Sequence, residues 1–264
     1  MNNLQQKLIE MYIQEMTRKH CLICEDEAKQ IRSDGGVKVG PKTLFHVGDS
    51  FEHRRFRPVF VGKTDWYNLK QWQSEEPIST HGKIIKNTFG QGTEWYKDDG
   101  GVAFWRYIKE ITQEINLSLD DYAVSNLAKC DVMYKYAKEK YKEDTPLIMY
   151  QKCTKIFNKE MQILRPTHII FFTNEYFDDL IHAIRFWFDD YSYYQDIKES
   201  YYIKQITNSY KVKKRNRTAC WWHRSFYYDS SRKKPELQFL RTRHPQGAPG
   251  KFKEKIIEWL EENK

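Results

Sequence analysis

The sequence predicts an α/β fold: a central, mostly parallel four-stranded sheet between helices on both faces, a three-layer α/β/α arrangement. Three observations predict it. Short apolar runs alternate along the chain with longer stretches of helical periodicity. The runs end at Gly62, Asn126, Thr173-Asn174 and His244, so polar residues collect where strands of a parallel sheet would stop. No low-complexity or Pro/Gly/Ser-rich linker divides the 264 residues, so 1–264 reads as a single domain.

Residues 3–19 carry Leu4, Leu8, Ile9, Tyr12, Ile13 and Met16 at helical spacing and open the chain as an amphipathic helix. HCLICEDEAKQIR follows, then a loop from Gly35 to Gly40. FRPVFVG (56–62) is an apolar strand stopped by a glycine. Residues 63–101, polar, aromatic and rich in Gly and Trp, read as an extended loop. VAFWRYIKEITQEI (102–115) is a strong helical pattern and YAVSN (122–126) a second strand. A helix around 147–164 leads into RPTHIIFFTN, a third strand beginning past Pro166. Residues 176–188 read as helix, and about 182–235 as an insertion dense first in tyrosine and then in basic residues. LQFLRTRHP (237–245) is a fourth strand, and KFKEKIIEWLEENK closes the chain as a helix.

A mean hydropathy of −0.82 with 16% aromatic residues describes an ordered fold with a wide polar surface, since disordered chains are poor in aromatics. The net charge of +8 and pI of about 9.0 suit a polyanionic partner without requiring one. No apolar run approaches the ~18 residues of a membrane span, and MNNLQQKLIEMYIQEM has neither a signal core nor transit-peptide character. The expectation is a cytoplasmic protein with no membrane association, no evident obligate protein partner and reduced thiols.

Read from residue type alone, several positions keep two meanings. Cys21-x-x-Cys24 is half of a metal site or a coincidence; Cys130 and Cys153 are ligands or small buried hydrophobes. Asn126 ends its strand either as a cap for the next turn or as a carboxamide presenting one donor and one acceptor to a ligand. His244 before Pro245 is a satisfied turn histidine or an electrostatic catalyst. Lys211, Lys213, Lys214, Arg215 and Arg217, followed by Trp221-Trp222, are a solvated face or a nucleic-acid contact combining phosphate binding with stacking.

Five elements, in order, resemble the uracil-DNA glycosylase superfamily, and most closely its iron–sulfur classes, families 4 and 5. They are CLIC at Cys21 and Cys24; PVFVG followed by KTDWY; SNLAKC; Cys153 leading into QILRPTHIIFFTN; and RHPQG at 243–247. The resemblance spans roughly Cys21 to Trp259, and the region 182–235 has no counterpart in it. It implies a DNA glycosylase that hydrolyses the bond to a flipped-out uracil or modified pyrimidine. The alternative is an iron–sulfur nucleic-acid-binding protein on the same scaffold without hydrolysis.

By the same resemblance, Cys21, Cys24, Cys130 and Cys153 are ligands of a structural [4Fe–4S] cluster. Asn126 reads uracil N3 and O4, and His244 stabilises charge on O2 as the base leaves. Gly62 and Lys63 supply backbone at the site, and Trp66 or Phe89 stacks on the base. The loop from Gln246 and Gly247 to Gly250 enters the DNA groove. The water-positioning residue is Asp65 or, in an ungapped alignment, Thr64, because GKTDWY departs from the family pattern there.

Overall fold

The computed structural model describes residues 3–16, 37–39, 46–63, 103–129, 131–136, 140–143, 147–173, 175–182, 184, 202–204, 210–214, 217–227, 234–245 and 250–264. The helices are α1 (Asn3–Met16), α2 (Ala103–Glu114), α3 (Leu147–Leu164), α4 (Asp178–His182) and α5 (Gly250–Asn263). The strands are β1 (Val37–Val39), β2 (His46–Val47), β3 (Pro58–Gly62), β4 (Ala123–Asn126), β5 (Asp131–Tyr136) and β6 (Lys140–Glu143). They continue with β7 (His168–Thr173), β8 (Tyr202–Lys204), β9 (Tyr210–Lys214), β10 (Arg217–Tyr227) and β11 (Leu237–Arg243).

The main sheet runs β2-β4-β3-β7-β11-β10-β8, with β9 paired to β10 off that path. Its middle is parallel: β4 with β3, β3 with β7, and β7 with β11. These are the four apolar runs visible in the sequence. The sheet itself is larger and mixed, because β2 adds antiparallel to β4 while β10 and β8 add antiparallel beyond β11. A four-stranded description therefore falls short at both edges. The insertion read between the third and fourth strands contributes sheet, since its segment 217–227 is the long strand β10. A separate antiparallel sheet, β1-β5-β6, has its middle strand β5 directly after Cys130.

Strand side chains alternate between faces, and the two faces bury different residues. Val59, Val61, Ala123, Ile169, Phe171 and Phe239 pack with Leu4, Leu8 and Tyr12 of α1, with Phe157 and Met161 of α3, and with Leu180 and Ile181 of α4. Phe60, Val124, Ile170, Phe172 and Leu240 pack with Phe104, Ile108 and Ile111 of α2 and with Phe252, Ile256 and Leu260 of α5. Helices thus cover both faces. Full burial of one such side chain stabilises by about 1.5–3 kcal/mol relative to exposure.

Two helix ends show how the local sequence sets the boundaries. Asn116, after α2, takes a left-handed φ of 56°, and the Leu117 amide reaches back to the Thr112 carbonyl oxygen at 2.8 Å. Arg165, after α3, has φ 48°, its amide bonds the Met161 carbonyl oxygen, and Pro166 then prevents continuation. Of the helix read at 176–188, the described part is a 3-10 turn over Glu175–Phe177 followed by α4, and 185–188 lie outside the described residues.

Candidate active site

The parallel register sets Gly62, last in β3, beside Asn126, last in β4. Val61 and Ser125 face α1 and α3, so Gly62 and Asn126, one residue on, face α2. Gly62 is required there: the Asn126 Oδ1 occupies the space a Cβ would take, and the Phe104 ring lies 3.3 Å from the same point. The Ala128 amide donates to the Lys63 carbonyl oxygen and the Leu127 amide to Gly62, both at 3.0 Å. The amide two residues beyond Asn126, the usual target of an asparagine turn, is therefore already taken. Asn126 is 5% exposed.

His244 follows β11 and stacks on Phe104, with ring centroids 6.2 Å apart and planes 14° from parallel. Phe104 thus touches both the Gly62–Asn126 step and His244, joining strand ends on either side of β7. Burial, reinforced by the positive charge of Lys63, pushes the His244 imidazole down to about 4, so it is neutral at pH 7. A buried carboxamide, a glycine backbone and a neutral imidazole at one sheet edge can recognise a planar heterocycle by hydrogen bonds and donate to an oxygen that gains charge.

The opposite face of the same strand end holds a charge network. Lys129 and Glu160 are 1% and 0% exposed at their side chains, with Lys129 Nζ 2.6 Å from Oε1 and 2.7 Å from Oε2. Lys129 also donates to Ser125 Oγ at 2.8 Å, and that hydroxyl donates to Glu160 Oε2 at 2.7 Å. Tyr12 of α1 donates its hydroxyl to Glu160 Oε1. One carboxylate on α3 therefore ties α1, β4 and the segment after β4 together. Such a pair persists in a dry interior only when its remaining hydrogen-bonding capacity is met, and here the hydroxyls of Ser125 and Tyr12 meet it.

Of the residues expected from the sequence, Gly62, Lys63, Asn126 and His244 come together. Thr64, Asp65, Trp66, Phe89, Gln246 and Gly247 lie outside the described residues, as do Cys21, Cys24, Cys130 and Arg215. Cys153 is buried on α3, at 5% exposure. Lys211, Lys213 and Lys214 lie on β9 and Arg217 on β10. Neither protein-family models nor curated proteins give a match to this chain. Among the described residues no helix is long and apolar enough to cross a membrane.

Sequence reading misses Phe104 and the Lys129–Glu160 network. Phe104 sits in a helix whose apolar spacing reads simply as core. Lys129 and Glu160 are polar residues in segments read for other reasons, and nothing local in the sequence joins them across 31 positions.

Proposed function

We propose that the chain is a DNA glycosylase of uracil-DNA glycosylase-like fold that hydrolyses the N-glycosidic bond of a flipped uracil or modified pyrimidine, leaving an abasic site. One observation carries this reading: Asn126, the Gly62 backbone and the neutral His244 gather around Phe104 at the carboxyl edge of the parallel strands. Extruding a base costs a few kcal/mol, which recognition of its Watson–Crick edge offsets. The Asn126 carboxamide matches a uracil edge, with Oδ1 accepting from N3–H and Nδ2 donating to O4. As the glycosidic bond breaks, the electron pair passes to the base. The His244 N–H then donates to the anionic O2, and Lys63 adds positive charge nearby. Water, positioned by Asp65 or Thr64, attacks the sugar carbon and loses a proton, and the departed base anion takes one up from solvent.

The [4Fe–4S] cluster belongs to this proposal, with Cys21, Cys24, Cys130 and Cys153 as ligands and the fixing of chain segments as its contribution. The course of the helices supports it. Gln5 donates to the Val47 carbonyl oxygen and to Asp49 near the start of β4, whereas Tyr12 meets Glu160 near its end, so α1 ascends beside β4. The end of α1, the buried Cys153 on the first half of α3, and Lys129 just before Cys130 all lie toward the carboxyl edge. The buried Cys153 thiol at that edge suits iron–sulfur ligation.

The deciding experiment incubates the protein with uracil-containing and modified-base DNA and cleaves abasic sites with alkali. Strand breaks abolished by Asn126→Ala and by His244→Ala are the expected outcome. The departure of GKTDWY from the family pattern favours one other reading, a DNA binder without hydrolysis; tight binding with no breaks on any substrate would select it.

A further inference from the structure

The strand β10 is longer than the sheet it joins. Trp222 to Phe226 pair with β11, whereas Arg217 to Trp221 pair only with β9, through five residue pairs from Trp221–Tyr210 to Arg217–Lys214. Because β10 is antiparallel to β11 and Trp222 lies opposite Arg241, Trp221 and Cys220 fall in register with Thr242 and Arg243, and Arg217 to Ala219 continue past the end of β11, on the His244 side of the sheet. The result is a two-stranded ribbon, about 17 Å long at ~3.4 Å per residue.

Its root is firmly held. Trp221 is buried in the α2–α5 core, and Trp222 is buried on the other face. Trp222 stacks with His182 at 4.7 Å and lies under the guanidinium groups of Arg224 and Arg241, 5.7 and 5.9 Å from the ring centre. Arg241 is fixed by a two-pronged ion pair to Asp178, both contacts 2.7 Å. Charge is concentrated at the far end. Lys211, Lys213, Lys214 and Arg217 lie on the paired strands, Arg215 lies between them in sequence, and no acidic residue occurs from 210 to 221. Lysines on an edge ribbon also discourage sheet-to-sheet association, but that purpose needs neither five cations nor a braced root beside the strand ends.

We propose that the β9–β10 ribbon is an arm that enters the major groove of duplex DNA, so that double-stranded DNA is the preferred partner. The groove of B-DNA, about 12 Å wide, admits a two-stranded ribbon, and cations at the tip release counterions from the flanking phosphates. A-form RNA offers a deep, narrow major groove that closes this route. The inference rests on the DNA reading of the same edge and extends it to strand state.

Fluorescence anisotropy on an undamaged duplex, one of its strands, and an RNA duplex of the same sequence tests this without any excision step, and so independently of whether the protein is a glycosylase. Two variants are compared with the full chain: Lys211, Lys213, Lys214, Arg215 and Arg217 all changed to Gln, and 213–218 replaced by Asn-Gly to close the Val212–Ala219 pair. Duplex DNA affinity should fall at least about tenfold in both, and the log–log salt slope should shrink by about 0.9 for every phosphate that is no longer neutralised. Single-strand and RNA-duplex binding should change little. Unchanged duplex DNA affinity in both variants would overturn the proposal, as would an equal loss on all three nucleic acids, which would mark nonspecific charge.

Discussion

The two faces of the strand end Ser125–Asn126 bury polar groups in opposite ways. Toward α1 and α3, Ser125 enters a closed network in which Lys129, Glu160 and Tyr12 satisfy one another. Toward α2, Asn126 sits among rings and a glycine, beside a histidine that burial keeps neutral. The first arrangement holds segments together and leaves nothing to offer a ligand. The second adds little cohesion, and in the proposed reading its carboxamide meets the base. Two consecutive residues thus separate scaffold from site, because a strand sends neighbours to opposite faces.

The sharpest way to break this comparison is to remove one charge from the closed face. Lys129→Met leaves Glu160 buried without its partner and should cost about 3–5 kcal/mol, read by denaturant unfolding. Adding Glu160→Gln should recover much of the loss, because the uncompensated charge is then gone. A small effect of Lys129→Met would mean that water reaches the pair and that the face is not dry.

On the other face, loss should appear in activity first. Gly62→Ala places a methyl group where Asn126 Oδ1 lies, turning the carboxamide away. In the alkali-cleavage assay the excision rate should fall by about 10²-fold, the scale of a 1 Å misplacement. Asn126→Ala should match that loss while shifting stability by only about 1 kcal/mol. If Asn126→Ala unfolds the protein instead, the division between the faces fails. Phe104→Leu should cost less activity but more stability: its ring contacts with His244, Phe172 and Trp105 contribute about 0.5–1.5 kcal/mol each beyond area burial.

What is legible in the sequence follows this same division. PVFVG, YAVSN, HIIFFT and LQFLRTR are short apolar runs with breakers behind them, and they form the parallel middle of the sheet. Gly62, Asn126 and His244 stand out because parallel topology collects strand ends at one edge. RTACWWHRSFY reads as part of an insertion because cations and aromatics obscure its alternation; only pairing with β11 and β9 reveals it as a strand. The Lys129–Glu160 pair is illegible for a different reason. It depends on a helix laid across the sheet, and no local pattern encodes which glutamate of that helix turns inward.

The mildest prediction concerns protons, again on the face toward α2 and α5. His168, beside Phe56 and Trp259, accepts a hydrogen bond from Gln238 Nε2 at Nε2, 3.0 Å, and burial pushes its imidazole down to about 4. The unfolded chain titrates near 6.5, so between 6.5 and 4 it binds the extra proton and the folded chain does not. Stability supplied by neutral His168 is therefore fully present above 6.5, falls as pH drops through that window, and levels off below about 4. The slope is at most about 1.4 kcal/mol per pH unit for one such group. Burial also lowers His46, which adds in the same direction. Unfolding midpoints measured across this range should decline more gently in His168→Gln; on the opposite face His182, stacked on Trp222 and also lowered by burial, adds to the same slope. An unchanged slope in His168→Gln would move the acid sensitivity from His168 to the other buried imidazoles, among them His46 and His244.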